Sequence, residues 1–194
     1  MDNTFYQKQF ESALAAITMA SPASPTDFPP SANLASPTNL PPSSHITPAA
    51  SGLLYFAGPV LGAIAFKIYK PEWASDPATP LTSSGRIFFS IWVTDRSIRE
   101  NKLLYNIHAL KLRQFKTHRL PSRDFAARFR TLLKPHLPDW PNLSIDFGPL
   151  TLMQGWIPLN PNTLQSDIIR LAQKFETISP LIDQTIATFK SRTV

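Results

Sequence analysis

The chain has 194 residues, a formal charge of +6, 43% hydrophobic and 11% aromatic residues, twenty prolines and no cysteine. That length suits one ordinary domain with a tail, and the apolar share suffices for a single packed core. The missing cysteines exclude a disulfide framework, a Cys-ligated zinc or iron–sulfur centre and a thiol nucleophile.

Within residues 1–20, Tyr6, Phe10, Ala13, Leu14 and Ile17 recur at helical spacing, which predicts a short amphipathic N-terminal helix. The opening Met1-Asp2-Asn3 has no basic region and leads into no long apolar run, so neither a secretory signal nor a transit peptide is expected and the chain reads as cytoplasmic. Residues 21–50 contain eight prolines, six serines, three threonines and five alanines. Such a stretch buries too little apolar surface to offset its ordering entropy, so a disordered Pro/Ser/Ala-rich linker is expected there. Residues 51–194 then form one domain.

The uncharged run Leu53 to Phe66 is only 14 residues long, whereas a membrane span needs about 20, and Gly58-Pro59 would interrupt a helix within it. A buried strand fits better, and no membrane span is expected. Strands are predicted over Val60 to Tyr69 and Arg86 to Val93, joined antiparallel through a long loop with three prolines. Ser97 with Glu100 reads as a capping box, and Leu103, Leu104, Ile107, Leu110 and Phe115 continue as the buried arc of a helix reaching about His118.

Pro121 ends that helix and Ser122 opens another, carrying Phe125, Phe129, Leu132 and Leu133 as far as Pro135. Leu143, Ile145 and Phe147 alternate with polar residues, and Gly148-Pro149 turns the chain into a second strand from about Leu150 to Pro158, a candidate hairpin. Asn160-Pro161 opens a helix with Ile168, Leu171, Ala172 and Phe175 inward, and Ser179-Pro180 opens a last one with Leu181, Ile182, Ile186 and Phe189. Strand, strand, helix, helix, taken twice, predicts an α+β domain: a four-stranded antiparallel sheet with helices packed on one face, preceded by the disordered Pro-rich segment.

No G-x-S-x-G elbow, Walker loop or G-x-G-x-x-G occurs, and six glycines in all leave little for a phosphate-cradling loop. No catalytic residue, metal or cofactor is nominated. The histidines at 45, 108, 118 and 136 lack metal-ligand spacing; His108 reads as a core-edge residue, while His118 and His136 flank Asp124 and could form a dispersed acid/base site.

Charge is the strongest asymmetry. Between Arg86 and His136 there are twelve Lys or Arg against three acids. On the helix predicted from Ser97, Arg99, Lys102, Arg113 and Lys116 would share one face, which Arg119 and Arg123 could extend. A basic stripe of this kind neutralises phosphates, so the leading reading is a non-enzymatic basic domain binding a polyanion such as nucleic acid. One alternative is a protein-interaction or assembly module, tethered through the N-terminal arm and making apolar contact through Trp140 and Trp156. The other is an enzyme using His118, Asp124 or His136.

Overall fold

The computed structural model describes residues 3–20, 52–115 and 120–190. Its helices are α1 (Asn3–Ala20), α2 (Asp95–Arg99), α3 (Ser122–Leu133) and α4 (Leu164–Lys190). Its strands are β1 (Leu54–Val60), β2 (Ala63–Ala74), β3 (Arg86–Val93), β4 (Lys102–Leu110) and β5 (Thr151–Pro158). They form one five-stranded sheet in the order β1-β2-β3-β4-β5, with every neighbouring pair antiparallel.

The α+β class and the antiparallel sheet agree with the sequence; the strand count and the element order do not. Five strands form instead of four, and no strand-strand-helix-helix unit repeats. The first difference lies at Leu61-Gly62, both with left-handed backbone (φ 49° and 78°), which turn the apolar run from Leu54 to Ala74 into the β1–β2 hairpin. Two consecutive positive φ angles define a turn whose twist matches the strands it joins. Asn-Gly is its usual signature, and Leu-Gly hides it. Pro59 fits because β1 is an edge strand, where a missing N–H is tolerated.

The second difference is the helix expected from Ser97 to His118. A capping box does form, but Thr94 is the cap: its Oγ1 accepts from Ser97 N at 3.1 Å while Thr94 N donates to Ser97 Oγ at 2.9 Å. The helix α2 then ends after five residues, and Asn101 (φ 53°) turns the chain into β4. There Leu103, Tyr105, Ile107 and Ala109 are fully buried at a period of two. The expected strand at Leu143 to Phe147 is reduced to a single bridge, Ser144 to Gln154. The two C-terminal helices are one, of 27 residues, with Pro180 inside it. The expected disordered linker lies outside the described residues, as do His45, Lys116, His118 and Arg119.

One face of the sheet meets the helices. Phe89 of β3 stacks on Phe175 of α4 with centroids 4.7 Å apart, and Tyr105 of β4 meets Trp140 and the same Phe175. Polar ties fix α4 to the sheet: Tyr55 donates to Glu176, and Asp183 accepts from Trp73 Nε1 at 2.6 Å and from Lys70 Nζ at 2.7 Å. Burial and the Glu176 carboxylate raise the pKa of the Tyr55 hydroxyl and keep it protonated. Helix α1 buries Phe10, Ala13 and Ile17 against α4 and the β1–β2 hairpin. Arg130 of α3 donates to the carbonyls of Phe147, Gly148, Thr151 and Leu152, holding the segment that leads into β5.

Candidate ligand-binding face of the sheet

In an antiparallel sheet, residues directly opposite one another share a face, so the register gives the composition of the face turned away from α4. Three rows cross it: Tyr69, Phe88 and His108; Lys67, Ser90 and Asn106; Ala65, Trp92 and Leu104. Arg86 opposite Leu110 adds a fourth row. An open cavity of about 380 Å³ lies against this face, lined by Lys67, Arg86, Phe88, Ser90, Trp92, His108 and Leu110 and by Val60, Leu61 and Ala63 of the first hairpin; Tyr69, Leu104 and Asn106 do not line it. No carboxylate lines it.

Phe88 is the centre of the site. Lys67 Nζ lies 4.8 Å from its ring centroid and the Arg86 guanidinium carbon 5.5 Å, and the His108 ring is 5.5 Å away. Lys67 is only 8% exposed, and no oxygen partner holds its ammonium among the described residues. Burial, reinforced by the positive Arg86, lowers its pKa to about 8. Arg86 donates through Nη1 to the Ser83 carbonyl, which orients the guanidinium, while its Nε is buried without a partner among the described residues.

His108 is clamped. Its Nε2 meets Asn106 Nδ2 at 2.7 Å, and its Nδ1 lies 3.2 Å from the Leu150 carbonyl and 3.3 Å from Thr151 Oγ1. The carbonyl can only accept, which assigns the ring proton to Nδ1 and leaves Nε2 to accept from Asn106. Burial lowers the His108 pKa, the Leu150 carbonyl opposes that, and the charges of Lys67 and Arg86 lower it further. The imidazole is therefore neutral near pH 7. Asn106, 2% exposed, spends its amide on this bond, and its Oδ1 is left without a partner among the described residues.

Those of the residues nominated from sequence that are described lie apart. Arg99 ends α2 and Lys102 begins β4, whereas Arg113 lies in the 3-10 turn Leu112–Gln114 beyond the far end of that strand. Nine residues of strand separate the two groups by roughly 27 Å. Lys102 is also committed, to Glu100 at 3.0 Å and to the Trp156 ring at 5.1 Å. Arg123 is exposed in the first turn of α3. Asp124 stands in that same turn, and His136 follows the helix's far end, about 18 Å along a helix of that length, so the two do not meet. Trp140 is buried at 4% exposure among Tyr105 and Phe175, while Trp156 lies on the opposite face of the sheet beside Leu104.

The sequence reading passed over Lys67, Phe88 and Asn106 and met Arg86 only as one basic residue among many. A signal was available: Lys67 is the one charge in the run Val60 to Tyr69, flanked on both sides by buried apolar residues. A lysine there has to be desolvated or to face a cavity. Among the described residues no three His, Asp or Glu side chains assemble a metal site, and no helix is long and apolar enough to cross a membrane. No protein-family model, curated protein or solved structure matches the chain, so the chemistry of this face rests on its own residues.

Proposed function

We propose that the chain binds a small organic anion with a flat apolar body on the helix-free face of its sheet. The observation that carries this reading is the pairing of orphans. Arg86 Nε and Asn106 Oδ1 are the two buried side-chain polar atoms without a partner among the described residues; Arg86 lines the cavity with Lys67, and Asn106 lies in the row of Lys67, one strand beyond Ser90. Native structures satisfy nearly all such groups, so a cluster of unmet ones marks a place completed by something else. Two cations beside one ring, with no carboxylate among the cavity-lining residues, select an anion; Phe88 and Trp92 select a flat apolar body for it.

Calorimetric titration of the full chain with phenyllactate and with benzoate tests the reading. Saturable binding is expected, weakened at least tenfold by Arg86→Met and left within about twofold by Arg99→Ala, since Arg99 lies outside the cavity. A tenfold loss corresponds to about 1.4 kcal/mol, close to the lower bound for one charge-assisted hydrogen bond. No heat of binding at millimolar ligand, or equal losses in the two variants, would discard it.

A further inference from the structure

Among the described residues Lys67 is the one buried lysine. The half-buried ones each reach an oxygen: Lys70 at Asp183, Lys102 at Glu100 and Lys174 at the Asp139 carbonyl. Lys8, Lys111, Lys134 and Lys190 are exposed. The most enclosed lysine among the described residues is thus the one with an aromatic ring for company and no acceptor among them. A lysine needed for its charge alone is poorly served by such a position, because burial without a counter-ion disfavours the ammonium. A lysine needed for its lone pair is well served.

We propose that Lys67 is a nucleophilic amine that condenses with the carbonyl of an aryl-substituted 2-oxo acid held in this cavity. The inference rests on the anion-binding reading above and adds the carbonyl to the ligand. Arg86, with Nη1 tied to Ser83, has Nη2 without a partner among the described residues and takes the carboxylate. Phe88 and Trp92 take the aryl group, and the 2-oxo carbon, one bond from the carboxylate, comes to Nζ. The neutral nitrogen attacks that carbon: the C–N bond forms, the carbonyl π pair moves to oxygen, and the Nζ proton passes to that oxygen. The nitrogen lone pair then closes the C=N bond as the C–O bond breaks, and the hydroxyl leaves as water with the second Nζ proton. No oxidant or reductant is consumed, and the open cavity lets solvent carry the protons. His108 has both ring nitrogens engaged, so it shapes the wall and takes no proton. The lowered lysine pKa, about 8, supports this role by leaving an appreciable neutral fraction near neutral pH.

The test is reductive trapping. The full chain is incubated with phenylpyruvate and cyanoborohydride, sampled over time by intact mass and mapped by peptide. Lys67 is expected to be modified at least tenfold faster than Lys8, Lys111 or Lys134, and the fast adduct should vanish in both Lys67→Arg and Lys67→Met, each checked for native circular dichroism. Phenyllactate, which has the carboxylate and aryl group but no carbonyl, is titrated in parallel. Phenyllactate binding with no preferential trapping at Lys67 overturns the imine and leaves the anion site standing. Neither binding nor trapping overturns both.

Discussion

Replacing Lys67 by Met should stabilise the protein. A fall in the lysine pKa from 10.5 to about 8 corresponds to about 3 kcal/mol of folding free energy lost while the amine is charged. Met fills nearly the same volume and brings no charge, and against that gain stands the lost cation–π contact with Phe88, about 1 kcal/mol. The net expectation near pH 7 is a gain of about 2 kcal/mol. The sign with pH follows from proton counting. Above pH 8 the folded lysine has released its proton while the unfolded one holds it up to 10.5, so the unfolded state binds more protons and wild-type stability rises through that window. Between pH 7 and 9.5 the gap between Lys67→Met and wild type should therefore narrow by about 2 kcal/mol, tyrosine ionisation being common to both proteins. Urea denaturation at four pH values in that interval measures both quantities. A variant no more stable than wild type at pH 7, or a gap that stays constant with pH, would refute the argument that this amine is buried at a cost.

Two further substitutions test the fold around the site. Leu61→Asn places a residue tolerant of left-handed backbone at φ 49° and loses no burial, since Leu61 is fully exposed; the denaturation midpoint should rise, by about 1 kcal/mol in stability, and a fall would show that the turn is not of the assigned type. Gly155→Ala sets a methyl into the Tyr105 hydroxyl, which itself donates to the Pro141 carbonyl at 2.6 Å; a loss of about 1 to 3 kcal/mol is expected, and an unchanged midpoint would mean that Tyr105 moves freely.

Much of the core was legible in the sequence, because burial leaves a periodic trace. Phe125 and Phe129, or Ile168, Leu171 and Phe175, sit inward at the spacing the sequence shows. What misled was β4. Leu103, Leu104, Ile107 and Leu110 satisfy a helical period only because both faces of that strand are largely covered, so apolar residues occur on each and the period of two is blurred. The shift from helix to strand also parts Arg99 and Lys102 from Arg113, which share a face only at 100° per residue. The hairpin at Leu61-Gly62 was hidden for another reason: turn chemistry is read from residues that favour positive φ, and leucine is not one of them. The cavity was illegible because it depends on register. Lys67, Ser90 and Asn106 are far apart in the chain and become neighbours only once three strands are aligned.

The docking of α1 changes what the stretch between Ala20 and Gly52 is in topological terms. With Phe10 and Ala13 fully enclosed and Gln165 Nε2 donating to the Ser12 carbonyl, the first eighteen described residues belong to the same body as β1. The two ends that this stretch joins therefore lie on one folded body. A chain severed there becomes a two-piece assembly, in which a short helix binds the rest as a ligand would, and its hold depends on concentration where the intact chain's does not.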